Sequence, residues 1–201
     1  MSFVLVQPAT GRWIVGSSIV HWAETAARSE SSLWPELLTT GVRWLGERGM
    51  GWARLRTKLR PLVGSEVTPA AIVVHLGSND LGSMSLKALI GWAKTEIDWL
   101  EATFPAAEII WSDILARQFY RGADSQKKIE GCRKAYNSSL RAYIKAKGGR
   151  IIRHHGIQWN THGIFRNDGV HMNDDGNVLL NTDFQGALKA FRENTEKIEY
   201  P

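Results

Sequence analysis

Five residues in four short segments of this chain carry the groups that acyl transfer requires. Ser18 has a hydroxyl that becomes nucleophilic when a neighbouring imidazole takes its proton, and His171 is a candidate for that base. Asp168, three residues before His171, is a carboxylate that could orient the imidazole. Gly49 and Asn79 offer a backbone and a side-chain N–H to a developing oxyanion. Together, the five residues predict a serine hydrolase site.

Each of these segments also has an ordinary structural interpretation when it is taken alone. Ser18 follows a predicted strand and is suited to cap a helix. Asn79 is suited to a turn in which its amide satisfies loop backbone, and Asp168-Gly169 is a plausible plain turn. The joint order of the segments, and the elements that precede them, favour the catalytic interpretation over four separate turns.

Short apolar runs alternate with longer helical patterns along the chain, which predicts an α/β fold with a mostly parallel sheet. The arrangement expected is a three-layer α/β/α sandwich of the flavodoxin-like kind. Five strands are predicted, at residues 12–15, 42–45, 71–76, 108–111 and 150–153. Helices are predicted at 18–27, through 55–59, at 86–104 and 125–147, and after a cap at Asn173 or Asp174.

The predicted elements bring the five candidate residues to one edge of the sheet. Ser18, Gly49 and Asn79 each follow a predicted strand, and open parallel sheets bind ligands beyond the carboxyl ends of their strands. Asp168 and His171 fall in the loop that enters the last helix. All five residues are therefore expected on the same rim.

The composition predicts one globular domain spanning residues 10–201, with residues 1–9 as a loose lead-in. The chain has 201 residues, of which 43% are hydrophobic and 22% charged. No apolar run is long enough to cross a bilayer, and the first residues lack the pattern of a signal peptide. A single cysteine, Cys132, excludes an internal disulfide, so an intracellular, reducing setting is expected.

The positive charge of the chain is concentrated in residues 121–150. Nine Lys or Arg residues oppose Asp124 and Glu130 there, a local charge of nine minus two, +7, against +5 for the whole chain. This asymmetry predicts an anionic partner, either a membrane surface or nucleic acid. A solvated helix face is the alternative, because no aromatic or glycine-rich nucleic-acid signature accompanies the charges.

Nucleotide and metal sites are not expected. The spacing Gly46-x-x-Gly49-x-Gly51 lacks the Lys-Ser/Thr that follows a phosphate loop. His154 and His155 are adjacent on a predicted strand end, so their side chains point to opposite faces. His75 is expected to be structural. The predicted chemistry needs neither a metal nor an organic cofactor.

In order and spacing, these residues resemble the SGNH hydrolase superfamily, which is named for a serine, a glycine, an asparagine and a histidine in four blocks. Ser18, Gly49, Asn79 and His171 match those blocks, and Asp168 occupies the Asp-x-x-His position. The resemblance covers roughly residues 11–192. It implies a serine esterase acting through an acyl-enzyme, with an oxyanion hole made by the backbone N–H groups of Ser18 and Gly49 and the Asn79 amide.

The residues around the blocks are similar to the esterase domain in the first open-reading-frame protein of vertebrate LINE retrotransposons, and more distantly to platelet-activating-factor acetylhydrolase catalytic subunits. The segments that carry this likeness include Gly77-Ser78-Asn79-Asp80-Leu81-Gly82 and Trp111-Ser112-Asp113-Ile114. The resemblance implies a short, acetyl-type acyl group on a small ester or acylated lipid. It also implies a larger parent protein that self-associates through segments outside this chain.

One departure from the family pattern precedes the nucleophile, where Ser17 replaces the usual aspartate. That aspartate supports the loop and is not a triad member, so the change bears on loop geometry and leaves the chemistry intact. The rival hypothesis is a non-catalytic module that binds anionic lipid or nucleic acid through residues 121–150.

Overall fold

The computed structural model describes residues 10–39, 41–65, 68–120, 123–193 and 199–200. The predicted lead-in at residues 1–9 lies outside these described residues. Within them, the chain alternates strands and helices in the order that the sequence patterns predict.

One parallel sheet of six strands runs through the described part of the chain, in the order β2-β1-β3-β4-β5-β6. The strands are β1 Gly11–Gly16, β2 Val42–Gly46, β3 Pro69–His75, β4 Glu108–Ser112, β5 Arg150–Ile152 and β6 Glu199–Tyr200. All neighbouring strands pair in parallel.

The prediction of five strands was wrong by one. The sixth strand has only two residues, too few to produce an alternating or continuous apolar pattern, and it forms by pairing with β5. The other strands lie where the sequence predicts them, within a residue or two at each end.

Five α-helices in the described ranges cover the two faces of the sheet. They are α1 Ser18–Ser29, α2 Leu55–Leu59, α3 Leu86–Thr103, α4 Gln126–Ala146 and α5 Asp174–Arg192, with 3₁₀ turns at Ser31–Leu33, Trp52–Arg54 and Arg60–Leu62. Asn173 caps α5, its side chain accepting a hydrogen bond from Gly176 N–H, which settles the choice between Asn173 and Asp174. No described helix has the length and apolar character that crossing a membrane requires.

Two hydrophobic cores separate the three layers. Successive side chains of a strand point to opposite faces, and β1 shows this clearly, since Trp13 and Val15 join one core while Ile14 joins the other. The first core also holds residues of α2, α3 and α4, and the second holds residues of α1 and α5. The α/β/α sandwich is thereby confirmed.

The strand order fixes where a ligand can bind. Because the chain moves from β1 to β2 on one side and to β3 on the other, the loops after β1 and β3 diverge and leave a crevice at their carboxyl ends. Ser18 follows β1 and Asn79 follows β3, so both lie at this crevice.

Candidate active site

Ser18 is the first residue of α1, directly after β1. The N-cap position is occupied by Ser17, whose side chain makes no capping hydrogen bond. Because Ser18 lies inside the helix, its hydroxyl does not serve as the cap. The Ser18 N–H lies in the first turn, where backbone donors have no acceptor inside the helix. Ser18 is half-buried and therefore remains reachable from the crevice.

Ser17 itself is buried, and its Oγ has no hydrogen-bond partner among the described residues. The resemblance to SGNH hydrolases implies an aspartate at this position. The structure shows that the serine fills the place without disturbing the strand-to-helix turn, because α1 begins directly after it.

Ser18, His171 and Asp168 form a continuous hydrogen-bonded chain. The His171 Nε2 atom lies 2.9 Å from Ser18 Oγ, and His171 Nδ1 lies 2.6 Å from Asp168 Oδ2. The imidazole thus contacts a hydroxyl through one nitrogen and a carboxylate through the other, the arrangement of a nucleophile, its base and the group that orients the base.

The turn from Asp168 to His171 is built to hold that carboxylate. Asp168 Oδ1 accepts hydrogen bonds from the backbone N–H groups of Val170, at 2.8 Å, and His171, at 2.9 Å. Gly169 has a φ of +65°, a conformation that side chains other than glycine rarely adopt, and this brings the two N–H groups back toward the carboxylate.

These contacts keep Asp168 ionised. Desolvation by itself raises the pKa of Asp168, but the hydrogen bonds from the His171 ring and from the His171 and Val170 backbone outweigh it and lower the pKa to about 2. Because the carboxylate is charged at neutral pH, it fixes the proton on His171 Nδ1 and leaves Nε2 free to accept the Ser18 proton.

Gly49 and Asn79 lie together on the other side of the crevice. Gly49 has a φ of +72° in a turn closed by a 3.1 Å hydrogen bond from Met50 N–H to Glu47 O. Among the described residues, the Gly49 N–H has no acceptor. Asn79 Nδ2 donates to Met50 O at 3.1 Å, which places the amide beside this turn and leaves its second hydrogen available.

Hydrogen bonds join the loops into a ring around the crevice. Glu47 N–H donates to Gly16 O at 3.0 Å, which links the glycine turn to the end of β1. Arg117 donates to Asn79 Oδ1 at 3.1 Å, and the neighbouring Gln118 N–H donates to Gly169 O at 2.8 Å. Together with the bond between His171 and the nucleophile candidate, these contacts bring all five predicted residues into one site.

Sequence reasoning missed Arg117, which closes this ring. It follows β4, the strand next to β3, so the rule that placed Asn79 at the sheet edge applies to it as well. Its Nη2 contact fixes which end of the Asn79 amide is the oxygen, and so directs the amide nitrogen toward the glycine turn.

A second serine, histidine and aspartate chain lies inside the molecule. Ser112 Oγ is 2.8 Å from His154 Nε2, and His154 Nδ1 is 2.6 Å from Asp183 Oδ2. His75 Nδ1 contacts the same hydroxyl at 2.9 Å. Burial, then the nearby His154 and Arg117, lower the pKa of His75, which is neutral as a result. His155 is exposed, so the adjacent histidines do point apart.

A groove of about 550 Å³ opens beside the site. It runs between the start of α3, the loop after β4 and the start of α4, and both Asn79 and Val170 contribute to its wall. Its apolar surface includes Leu81, Met84, Leu86 and Ile129.

Most cations of the basic segment at residues 121–150 are paired with carboxylates. Five of them form ion pairs at 3.3 Å or less: Arg133 with Glu130, Arg141 with Asp113, Lys145 with Glu199, Lys147 with Asp98 and Glu101, and Arg150 with Glu108. Lys127 and Lys128 are exposed. Arg121 lies outside the described residues, and an anionic partner for this segment stays a prediction.

The architecture is shared with solved structures of low sequence identity. A GDSL-like lipase from Bacteroides thetaiotaomicron superposes with a TM-score of 0.68 at 18% identity, over 93% of each chain. A carbohydrate esterase family 3 structure from Talaromyces cellulolyticus gives 0.65 at 14% identity, over 92% of this chain and 99% of that one.

The acetyl xylan esterase AlAXEase gives a TM-score of 0.64 at 16% identity, over 88% of this chain and 98% of the other. No protein-family model and no curated protein matches the chain. The structural likeness extends over almost the whole chain, and it supports the fold of a parallel sheet flanked by helices.

Proposed function

We propose that this chain is a serine hydrolase of carboxylic esters, of the SGNH type. The observation that carries the proposal is the chain of hydrogen bonds from Ser18 through His171 to Asp168, open to a crevice whose other wall holds Gly49 and Asn79. Similar structures described as a lipase and as esterases support the same class of reaction.

In the first half of the reaction, Ser18 Oγ attacks the ester carbonyl while His171 Nε2 takes its proton. Asp168 stabilises the resulting imidazolium through Nδ1. The carbonyl oxygen becomes negative, and the N–H groups of Ser18 and Gly49 and the Asn79 amide donate to it. As the tetrahedral intermediate collapses, His171 returns the proton to the departing alcohol, and the acyl group stays on Ser18.

In the second half, water replaces the alcohol. His171 Nε2 takes a proton from the water as its oxygen attacks the acyl-enzyme carbonyl, and the same donors hold the oxyanion again. Collapse of this intermediate breaks the bond to Ser18 Oγ, which recovers its proton from His171. The products are one alcohol and one carboxylic acid for each ester and water consumed.

The acyl group proposed is short, with acetyl as the model. Support comes from the sequence resemblance and from the acetyl xylan esterase among the similar structures. The resemblance to the esterase domain of LINE first-open-reading-frame proteins supports the further proposal that this activity serves a retrotransposon protein.

Hydrolysis of p-nitrophenyl esters tests the proposal. Wild-type protein should release p-nitrophenol from the acetate, Ser18→Ala should not, and a fluorophosphonate probe should label wild type at Ser18 only. A series from acetate to octanoate tests the acyl length, with kcat/KM expected to be highest for the shortest esters. Equal hydrolysis by wild type and Ser18→Ala would overturn the assignment of the nucleophile.

A further inference from the structure

Three arginines border the candidate site, each one contact or one residue away from a site residue. Arg117 donates to Asn79 Oδ1 at 3.1 Å. Arg166 N–H donates to the carbonyl oxygen of His171 at 2.8 Å, and Arg48 immediately precedes Gly49. Three of the loops that form the crevice therefore carry an arginine.

None of these arginines has a carboxylate at salt-bridge distance in the described part of the chain. Elsewhere in the molecule, a carboxylate partner is common even for arginines that are largely buried. Six other arginines pair in this way: Arg12 with Glu36, Arg56 with Glu96, Arg133 with Glu130, Arg141 with Asp113, Arg150 with Glu108 and Arg153 with Glu199.

Aromatic rings take the place of carboxylates at the site. The guanidinium groups of Arg48 and Arg166 lie over the ring of Trp22, at 4.7 and 4.1 Å from its centre, one helical turn after Ser18. Arg117 lies 5.8 Å from the ring centre of Tyr120. Stacking occupies the flat face of a guanidinium and leaves its edge, where the N–H donors are, available to another group.

Burial makes Arg117 costly to leave without an anion; Arg166 is likewise only partly exposed, whereas Arg48 is exposed to solvent. Arg117 is only partly exposed, and burial lowers its pKa, against the opposing influence of Tyr120 and of Asp168 at longer range. A cation that is partly removed from water and has no counter-ion is stabilised by any anion that enters the crevice. The carboxylate of Asp168 is already committed to His171.

We propose that the substrate is a carboxylic ester that carries a separate anionic group, a carboxylate or a phosphate, which these arginines bind. The inference rests on the proposed esterase function and specifies the substrate class of the same site. Lys128 on the groove wall adds a further positive charge, and Asp124 on the same wall opposes it. The anionic group can belong to the acyl part or to the alcohol.

Matched pairs of esters test the proposal. On the acyl side, mono-p-nitrophenyl glutarate is compared with neutral p-nitrophenyl valerate. On the alcohol side, 4-acetoxybenzoate is compared with its methyl ester. In at least one pair, we expect kcat/KM for the anionic ester to exceed kcat/KM for the neutral ester by about tenfold at low salt. This is the factor that one hydrogen bond to a charged group contributes. The preference should shrink as salt rises.

Substitutions at the stacked arginines should reduce the preference for the anionic member of each pair. Arg48→Gln and Arg166→Gln should each lower the ratio of anionic to neutral kcat/KM by about threefold to tenfold. The matched control is Lys189→Gln, which removes an exposed cation on α5. Lys189 lies about 22 Å along the helix from the residues at its start, so the ratio should not change.

Arg117 requires its own comparison, because it also orients Asn79. Arg117→Gln should slow both members of each pair and slow the anionic member more. Arg117→Lys should recover part of the anionic preference, since it restores the charge without the planar donor edge.

The two proposals fail in different ways. If neither member of a pair is hydrolysed in a manner that depends on Ser18, the esterase function is wrong. If both members are hydrolysed but their ratio is indifferent to salt and to Arg48, Arg117 and Arg166, the esterase function holds and the anionic substrate is overturned. In that case the guanidinium groups serve only to pack against Trp22 and Tyr120.

Discussion

Two chains of serine, histidine and aspartate occur in this molecule, and their bond lengths are nearly the same. In the first, Ser18 and Asp168 lie 2.9 and 2.6 Å from His171. In the second, Ser112 and Asp183 lie 2.8 and 2.6 Å from His154. The three-residue geometry alone therefore does not distinguish a catalytic triad from a structural network.

Exposure distinguishes them. The His171 side chain is 26% exposed and the His154 side chain 3% exposed, while Ser112 is fully buried within β4. A substrate carbonyl can reach the first hydroxyl and cannot reach the second. A nucleophile needs an open path to the substrate as well as a neighbouring base.

The surroundings of the two hydroxyls differ as well. Beside the first lie the Gly49 turn, whose N–H has no acceptor among the described residues, and the Asn79 amide, which keeps one hydrogen available. The second hydroxyl contacts another histidine, His75, and the network connects β3, β4, the loop after β5 and α5. Hydrogen bonds of this kind within a core specify how the elements pack, although the His75 Nε2 atom has no partner among the described residues.

Substitutions in the exposed chain of Ser18, His171 and Asp168 should give the largest effect on activity. Ser18→Ala and His171→Ala should each lower kcat for p-nitrophenyl acetate by about 10⁶-fold, because nucleophile and base act as one unit. The double variant should be no worse than either single one. The free energy of unfolding, measured with urea, should change by about 1 kcal/mol or less, since the site lies at the surface.

Ser112→Ala is the matched control for that experiment, because it deletes the same hydroxyl from the same kind of chain. Its turnover should remain within a few fold of wild type. Activity that survives Ser18→Ala and disappears with Ser112→Ala would reverse the assignment of the two chains.

Asp168→Ala should have the next largest effect, a loss in kcat of about 10⁴-fold, because the imidazole can act without its orienting partner but less well.

The pH dependence of stability adds a second test of Asp168. The folded pKa of Asp168, about 2, lies below the ordinary value of 3.8. The carboxylate thus stabilises the fold above pH 4, and this stabilisation is lost as the pH falls toward 2.

Urea unfolding of wild type and Asp168→Ala across this range measures the difference directly. The gap between their free energies of unfolding should narrow as the pH falls from about 4 to 2. The gap should be modest, since this carboxylate is about one third exposed and solvent screens its interactions. A gap that widens on acidification would contradict the pairing with His171.

Asn79→Ala tests the proposed oxyanion donor, a feature that lies beside the exposed chain and has no counterpart beside the buried one. Loss of one oxyanion donor should lower kcat by about 10²-fold with a smaller change in KM, because the amide donates most strongly as charge develops. An unchanged kcat with a raised KM would show that Asn79 holds the substrate and does not stabilise the oxyanion.

The positions of the residues proposed as the triad and of Asn79 at one edge of the sheet could be predicted from sequence, because each residue is marked by a local signal. Ser18 and Asn79 follow continuous apolar strands, and Asp168 and His171 share one turn. The parallel sheet then brings these ends together, so local patterns and one topological rule are sufficient.

The buried chain gives no such signal, since Ser112, His154 and Asp183 belong to three elements that meet only through packing. The position of Arg117 at the sheet edge follows from the same rule as that of Asn79, but its role depends on a contact with a side chain 38 residues away, which the sequence does not show. The sixth strand depends on pairing with β5 and not on its own two residues. The features that could not be predicted are those that depend on contacts between residues far apart in the sequence.

The buried chain should show its contribution in stability. Ser112→Ala leaves ring nitrogens of His75 and His154 without their shared partner inside the core, which should cost about 1–3 kcal/mol of unfolding free energy. Urea denaturation followed by tryptophan fluorescence measures it. A variant as stable as wild type would show that water replaces the hydroxyl and that the network is not a determinant of packing.

The smallest effect on hydrolysis is expected from charges that belong to neither chain. Lys127, Lys128 and Lys134 are exposed on α4, so reversing them to Glu should change the turnover of a neutral acetate ester by less than about twofold, because a surface field has no charge on the substrate to act on. If residues 121–150 do bind an anionic partner, the same variant should lose association with anionic vesicles or nucleic acid, and wild-type binding should weaken steeply with salt. Wild-type protein that binds neither at low salt would make α4 an ordinary solvated helix. The ion pairs of its other cations with Asp98, Glu101, Asp113 and Glu199 then account for the basic composition, as charges that fasten the helix to its neighbours.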